Sequence, residues 1–230
     1  IPLCLVGSEM CIRDSLNRMS HHKKGQVIVP TGGGKTMCMI EDVKREIKQA
    51  DYRRTFVVVA PRILLAQQLC EEFLEQITGV NVLHVHSGET HHTSTTKPEK
   101  IKTFCIYPLH LHTIIFTTYH SLHRIQEADI DVATIYFDEA HNSTAKNFFP
   151  SVEHYSAEAK RCYFFTATPK HSLTINKVGM NDAYVYGKVI VNIPAPKLVK
   201  EGYILPPKMI VKTINVAEEQ VNECQHIVDT

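Results

Sequence analysis

Two short motifs in this chain carry the residue types that bind and hydrolyse a nucleoside triphosphate. The first, PTGGGKT at residues 30–36, is rich in glycine and ends in Lys35 and Thr36. Glycines have no Cβ, so backbone amides can approach an anion closely, while lysine and threonine can contact phosphate and Mg²⁺. The second motif, DEAH at residues 138–141, places two carboxylates side by side. Together they predict that the chain binds ATP and takes part in its hydrolysis.

The segments around residues 30–36 match the strand, turn and helix that a phosphate loop requires. Residues 26–29 (QVIV) predict a short buried strand, and residues 37–49 are compatible with a helix. The N-terminus of such a helix adds N–H groups and a favourable dipole for an anion. The strict pattern G-x-x-x-x-G-K-[ST] has glycine where this chain has Val29. An ordinary glycine-rich turn is the alternative. The predicted nucleotide-binding residues are Thr31, Gly32, Gly33, Gly34, Lys35 and Thr36.

The paired carboxylates follow an apolar, β-prone segment, VATIYF at residues 132–137. In a parallel sheet the carboxyl end of a strand faces the ligand-binding edge. We therefore predict that Asp138, with Thr36, holds Mg²⁺, and that Glu139 orients or deprotonates the attacking water. Glu139, Asp138 and Lys35 form the predicted catalytic set. For an isolated Asp-Glu pair, a charge cluster at a helix N-terminus is the alternative.

With three further segments, these motifs resemble those of superfamily 2 helicases and translocases of the DEAH-box kind. Residues 60–68 resemble motif Ia, residues 117–122 resemble motif Ib, and FTATP at residues 165–169 resembles motif III. Five motifs in the family's order are far more specific than any one of them. Within the superfamily, the resemblance is greatest to the helicase-like ATPase module of type I and type III restriction subunits.

The resemblance implies the N-terminal RecA-like P-loop NTPase lobe, an α/β fold with a mostly parallel sheet and helices on both faces. Alternating strand-like and helix-like segments favour the same architecture. The polar residues 87–103 predict an exposed loop or small insertion. Residues beyond 193–196 are expected to form a peripheral strand or an approach to the hinge, with another strand at 209–216. Predicted strands are 26–29, 56–60, 81–86, 113–117, 134–138 and 162–166, and predicted helices are 35–49, 63–77 and 145–157.

The resemblance also implies roles for residues outside the nucleotide site. In that family the motif Ia and Ib loops grip the nucleic-acid backbone, and motif III couples hydrolysis to that grip. The implied function is that of an ATP-dependent motor lobe that moves along DNA or RNA, and we expect DNA rather than RNA. The implied cofactors are ATP and Mg²⁺. The implied nucleic-acid residues are Pro61, Arg62, Thr117 and Thr118, and the implied coupling residues are His141, Thr166 and Thr168.

Two other functions stay open at this stage. One is a translocase subunit of a restriction system that moves on duplex DNA without separating the strands. The other is a nucleotide-binding module with no motor activity. A P-loop kinase is disfavoured because it would explain neither residues 166–168 nor the DEAH motif.

In the resembled family, ATP lies between two RecA-like lobes. We expect lobe 1 at residues 16–192, and residues 193–230 as a segment leading toward a second lobe of the full-length protein. That lobe would supply an arginine finger, so this fragment alone is expected to be a nearly inactive ATPase. A nuclease or methylase subunit could be a further partner. EMCIRDS at residues 9–15 is identified as the translation of a sequencing adapter, so residues 1–15 are predicted to be a non-native artefact.

Composition narrows the class of protein but does not identify a ligand. The formal net charge of +1 gives no global signal for nucleic acid, so binding must come from local loops. No apolar segment is long enough to span a membrane. Seven scattered cysteines without a C-x-x-C pair indicate reduced thiols and a cytoplasmic location. Fourteen histidines form several close pairs, but none combines with cysteines or carboxylates at a zinc-ligand spacing, so a structural zinc is disfavoured.

Overall fold

The computed structural model describes residues 4–107, 111–174 and 177–206, with side chains from residue 11 onward. Within these described residues, seven strands form one sheet, and every neighbouring pair is parallel. The strands are β1 Lys24–Ile28, β2 Thr55–Ala60, β3 Val80–Val85, β4 His112–Thr118, β5 Thr134–Phe137, β6 Arg161–Thr166 and β7 Lys188–Asn192. Their order across the sheet is β3-β4-β2-β5-β6-β1-β7. The predicted fold, a RecA-like α/β lobe with a parallel sheet, is confirmed.

Helices connect the strands and cover the sheet. They are α1 Cys4–Ser20, α2 Lys35–Lys48, α3 Ile63–Gln76, α4 Pro98–Ile106, α5 Leu122–Glu127, a 3₁₀ helix Ala140–Thr144, α6 Phe149–Glu158, α7 Ala183–Tyr186 and α8 Ala195–Lys200. Within the described residues, none of these helices is long and apolar enough to cross a membrane.

Apolar side chains are buried on both faces of the sheet. In β2, Phe56 and Val58 belong to one buried cluster, whereas Val57 and Val59 belong to the other. Successive strand residues point to opposite faces, so a strand buried on both faces reads as a continuous apolar segment. The run FVVVA at residues 56–60 therefore indicates a central strand of a sheet with both faces covered.

The structure departs from the expectations for two peripheral segments and contains an edge strand that was not predicted. The predicted loop at residues 87–103 contains the start of α4, which has Pro98 in its first turn, a position that proline favours. Strand β7 at the sheet edge was missed, and the segment after it, expected to be a peripheral strand or an approach to the hinge, begins with helix α8. The strand predicted at residues 209–216 lies outside the described residues.

Helix α1 includes residues 4–15 of the segment that the sequence predicts to be an artefact. In its described part, Cys11 is buried and the Ser15 hydroxyl donates to the Cys11 carbonyl at 2.8 Å. The artefact assignment and the domain boundaries at 16–192 and 193–230 stay predictions.

Candidate nucleotide site

The predicted site residues follow the carboxyl ends of neighbouring parallel strands. Residues 30–36, the phosphate loop, come after β1, and Asp138 comes directly after β5. Strand β6 lies between β1 and β5 and ends at Thr166. The fold thus brings the phosphate loop and the carboxylates to one edge, on either side of Thr166.

The backbone of the phosphate loop needs its glycines. Gly32 and Gly34 have φ angles of 77° and 88°, in the left-handed region that favours glycine. A Cβ on Gly33 would lie 2.6 Å from Val29 Cγ1. Val29, the departure from the strict pattern, is buried against this glycine, and its N–H donates to the Thr166 carbonyl at 3.0 Å. The departure is therefore compatible with a tight loop.

Helix α2 begins at Lys35, directly after the phosphate loop. Gly34 precedes it and no side chain caps the helix N-terminus. The first N–H groups of a helix have no partner within the helix, so an uncapped first turn can donate to an anion. Lys35 and Thr36 lie in this turn. The loop and the helix therefore fit the phosphates of a nucleotide.

Glu139 makes the contact that joins the two motifs. Its Oε1 accepts from Lys35 Nζ at 2.8 Å, with the two side chains 27% and 10% exposed. Glu139 has φ of 44°, an uncommon left-handed conformation for a residue other than glycine. Asn142 supports this backbone, because its Nδ2 donates to the Glu139 carbonyl at 2.9 Å. Such backbone strain is concentrated at functional sites.

Asp138 is anchored through its backbone, and its side chain is partly buried. Its N–H donates to the Val59 carbonyl at 2.8 Å, and its carbonyl accepts from the Tyr119 hydroxyl at 2.8 Å. Burial, and to a smaller extent the nearby Glu139, raises the pKa of Asp138 from its usual 3.8 to about 6, against the opposing effect of Lys35. At neutral pH the carboxylate is thus ionised but poorly solvated, which suits a divalent cation.

The predicted coupling residues lie together beside Glu139. His141 Nδ1 is 3.1 Å from Thr166 Oγ1 and 3.5 Å from Glu139 Oε2, and Thr168 N–H donates to Thr166 Oγ1 at 3.1 Å. Asn142 Nδ2 lies 3.3 Å from His141 Nε2. Because an amide nitrogen only donates, His141 Nε2 accepts, and the Nδ1 proton of the neutral ring points to Thr166 and Glu139.

The predicted nucleic-acid residues differ in how accessible they are. Arg62 is exposed and Pro61 partly exposed, between β2 and α3. Thr117 is completely buried and its hydroxyl donates to the Val85 carbonyl at 2.8 Å, and its role in nucleic-acid binding stays a prediction. Thr118 is also buried, and its hydroxyl lies 3.4 Å from Ser121 Oγ. The loops after β2 and β4 do lie side by side, because Tyr119 N–H donates to the Ala60 carbonyl at 3.3 Å.

Sequence reasoning missed Tyr119 and Asn142 as supports of the two carboxylates. Asn142 directly follows the DEAH motif, where a polar residue could have suggested a turn contact. Tyr119 is far from Asp138 in sequence, and only the adjacency of the loops after β4, β2 and β5 brings it close. Neither residue type has a recognisable spacing to the carboxylates.

Comparison with known proteins places this site in a family. The description "Type III restriction enzyme, res subunit" matches residues 8–171 of the chain. The chain belongs to this res-subunit family. A comparison with curated proteins gave no match.

Solved structures share the fold of this res-subunit domain. The DNA-bound ATP-dependent Type ISP restriction-modification enzyme LlaBIII has a TM-score of 0.69 and 19% identity, covering 85% of this chain and 15% of its own. A nuclease-deletion mutant of the Type ISP enzyme LlaGI, with a DNA substrate mimic, gives 0.68 and 18%, covering 97% and 22%. The Hef helicase domain of Pyrococcus furiosus gives 0.57 and 19%, covering 80% and 37%. The chain therefore spans less than half of these proteins, and its fold is that of a helicase-type ATPase lobe.

Proposed function

We propose that this domain is the first lobe of an ATP-driven motor that moves along nucleic acid. The observation that carries the proposal is the 2.8 Å pair between Lys35 of the phosphate loop and Glu139 of the DEAH motif. This contact places Lys35, which is suited to bind the phosphates of the nucleotide, next to Glu139, which is suited to activate the attacking water. The res-subunit family and the shared helicase-type fold support the same function.

Lys35 would exchange partners when nucleotide binds. In the structure, its ammonium contacts Glu139 Oε1 at 2.8 Å. With nucleotide, Lys35 would turn to the β- and γ-phosphates, the phosphate-loop N–H groups would donate to the same anion, and Glu139 would be released to accept a proton from water. Thr36 and Asp138 would hold Mg²⁺, which supplies charge neutralisation for the phosphates.

His141 and Thr166 provide a route from this site to the rest of the sheet. Glu139 lies 3.5 Å from His141, which contacts Thr166 at the end of β6, and Thr168 binds the same hydroxyl. A change in the position of Glu139 would change this set of contacts. We therefore propose His141, Thr166 and Thr168 as residues that couple the nucleotide state to closure against a second RecA-like lobe in the full-length protein.

The exposed Arg62, with Pro61, would contact the nucleic-acid backbone from the same edge of the sheet. A guanidinium donates to phosphate oxygens without reading base sequence, as a motor that moves along any sequence requires. Side-chain burial makes Thr118 a weaker candidate, and Thr117 would contribute only to the shape of the loop.

The proposal is tested by the ATPase activity of the full-length protein with and without DNA. We expect DNA to stimulate hydrolysis in the wild type. The Glu139→Gln variant should bind Mg·ATP normally but hydrolyse it about 10²-fold more slowly, because it lacks the base. Glu41→Gln, on the outer part of α2, serves as the matched control and should keep full activity. Hydrolysis at the wild-type rate by Glu139→Gln would remove Glu139 from the mechanism. Nucleotide binding that no nucleic acid stimulates into turnover would favour the non-motor module.

A second candidate is a duplex-DNA translocase that does not separate strands, and the match to a restriction-enzyme subunit family favours it over a strand-separating helicase. Displacement of a third strand from a triplex reports translocation alone, whereas displacement from a duplex reports unwinding. Triplex displacement without duplex unwinding would identify the translocase.

A further inference from the structure

Three possible metal ligands converge at the far end of the sheet from the phosphate loop. Cys70, His84 and His92 each present a ligand atom, and these atoms all lie within 4.8 Å of one another. Cys70 and His84 are buried, whereas His92 is exposed at a cleft that Glu71 and Glu89 also line. The His84 and His92 rings are stacked, with centroids 5.6 Å apart.

The three residues belong to three different segments. Cys70 lies on α3, His84 on β3, and His92 in the segment of residues 87–97 that precedes α4. That segment folds back on β3, because His84 N–H donates to the Thr93 carbonyl at 2.8 Å and Thr95 N–H donates to the His84 carbonyl at 3.0 Å. Backbone pairing therefore fixes the position of His92 relative to His84.

A second observation points to a ligand at this cluster. The His84 side chain is completely buried, and its Nε2 has no hydrogen-bond partner among the described residues. A buried polar atom without a partner is costly and calls for an explanation. Its other nitrogen, Nδ1, lies 2.9 Å from His86 Nε2. Metal-bound histidines commonly have this arrangement, with the second ring nitrogen hydrogen-bonded to a neighbour that orients the ring.

We propose that Cys70 Sγ, His84 Nε2 and a ring nitrogen of His92 bind a divalent ion of the zinc type, with water in the fourth position. Thiolate and imidazole ligands together select zinc over magnesium or calcium. In a tetrahedral zinc site, neighbouring ligand atoms are about 3.3–3.7 Å apart, so the cluster must contract around the ion. His92 is exposed and can move inward. The ion would join α3, β3 and residues 87–97, and this site is separate from the proposed Mg²⁺ site.

Metal binding would move protons on His84 and His86 and would remove one from Cys70. Gly88 N–H donates to His86 Nδ1 at 3.2 Å, so without metal His86 carries its proton on Nε2 and His84 carries its own on Nε2. With a metal on His84 Nε2, His84 would donate from Nδ1 to His86 Nε2, and His86 would hold its proton on Nδ1. Gly88 N–H would then lose its acceptor. The two histidines keep two protons in total, and the Cys70 thiol releases one to solvent.

No sequence spacing reveals this site, because its ligands are dispersed over a helix, a strand and a loop. Gly88 packs tightly on α3, since a Cβ there would lie 2.6 Å from Ile63 Cγ2. Metal binding beside Gly88 would therefore take place close to the start of α3, the helix that follows Arg62.

The test is a Co²⁺ titration of this chain after EDTA treatment, followed by displacement with Zn²⁺. Thiolate ligation of Co²⁺ gives a sulfur-to-cobalt charge-transfer band. We expect one Co²⁺ per chain with that band, its loss on Zn²⁺ addition, and release of one proton from thiol. Cys70→Ser should abolish the band. His92→Ala, an exposed change that keeps the fold, should weaken binding about 10-fold or more, since even indirect ligand supports contribute that much.

Two matched controls separate this site from incidental binding. Cys105→Ser removes another buried thiol, and His123→Ala removes another exposed imidazole. Both should bind Co²⁺ as the wild type does. No charge-transfer band in the wild type, or a band that survives in Cys70→Ser, would overturn the proposal. Binding without thiolate character would show a surface histidine site only and would overturn it as well. ATPase activity does not enter this test.

Discussion

Two ion pairs at opposite edges of the sheet differ in how completely their charges are satisfied. At the amino edge, where β6 begins, Arg161 donates to both oxygens of Asp42 at 2.9 Å. Asp42 also accepts from the Tyr136 hydroxyl at 2.7 Å, and Arg161 lies 3.0 Å from Glu46. Every charge in this group has fixed partners within the fold. Its geometry is bidentate, and the Asp42 side chain is only 1% exposed.

At the carboxyl edge, Lys35 and Glu139 make one contact on a strained backbone, beside an Asp138 whose pKa is raised to about 6. This pair holds charges that a phosphate and a metal could satisfy better. A structural ion pair has its charges satisfied within the fold, whereas a functional pair leaves charges that a ligand can satisfy. The charges of the Arg161–Asp42 pair are satisfied by neighbouring residues, so this pair should contribute most to stability. The Lys35–Glu139 pair can exchange its partners for a ligand, so it should contribute most to ligand binding.

The largest effect on stability is expected at the amino edge. Arg161→Ala leaves Asp42 buried without its main partner, which costs about 3–5 kcal/mol. Urea unfolding of the chain measures this loss. The neighbouring Lys160→Ala is the control, because the Lys160–Asp131 pair is 51% and 73% exposed and should contribute less than about 1 kcal/mol. Equal losses in the two variants would contradict the structural role of the Arg161 group.

A smaller effect, of opposite sign, is expected from Asp138→Asn. Between pH 3.8 and about 6 the unfolded chain loses a proton that folded Asp138 keeps, so this carboxyl lowers folded stability as the pH rises through that interval. At pH 7.5 the variant should be more stable than the wild type by about 1–2 kcal/mol, after allowance for solvent screening.

The pH dependence of this stability gain shows whether the charge of Asp138 is its source. The gain should be smaller at pH 5, where most of Asp138 is protonated in the folded wild type, and Mg²⁺-dependent nucleotide binding should be lost at every pH. Thermal unfolding at the two pH values measures the gain. A gain of the same size at both values would show that the carboxyl charge is not its source.

The sequence predicted the residues at the ligand-binding edge of the sheet better than the contacts between distant elements. Apolar segments predicted six strands within two residues of their observed bounds, because a buried parallel strand has a strong apolar signal. Three of these segments lead into PTGGGKT, DEAH and TAT. Both motifs were predicted at one edge of the sheet, but the contact between Lys35 and Glu139 was not predicted. The Arg161–Asp42 pair and the Cys70–His84–His92 cluster could not be predicted, since their members come from distant elements whose adjacency only the folded sheet establishes.

Polar composition also misled at two positions. Residues 87–103 are rich in threonine and histidine, yet a proline-initiated helix begins at Pro98, and its buried Ile101 and Cys105 pack on the sheet. Thr117 has the residue type of a phosphate contact, but β4 directs it into the interior. A side chain's orientation on a strand depends on register, which one short motif does not determine.

The smallest effect on stability is expected at the Lys35–Glu139 pair. Lys35→Ala removes one hydrogen bond to a Glu139 side chain that is 27% exposed and can be solvated by water. We expect a loss of about 1 kcal/mol or less in the nucleotide-free chain, measured by urea unfolding. A loss as large as that of Arg161→Ala would make the pair a structural one, and the contrast between the two edges would fail.

Mg·ATP binding to the Lys35→Ala variant is the most direct test of the central claim that Lys35 exchanges Glu139 for phosphate. A fluorescent ATP analogue, titrated into the full-length protein, measures the affinity. Lys44→Ala is the matched control, since Lys44 lies on the same helix and pairs with Glu41 at 2.7 Å. We expect Lys35→Ala to bind about 10- to 100-fold more weakly than wild type, the usual loss for a charge-assisted contact, and Lys44→Ala to bind normally. Wild-type affinity in the folded Lys35→Ala variant would contradict the claim.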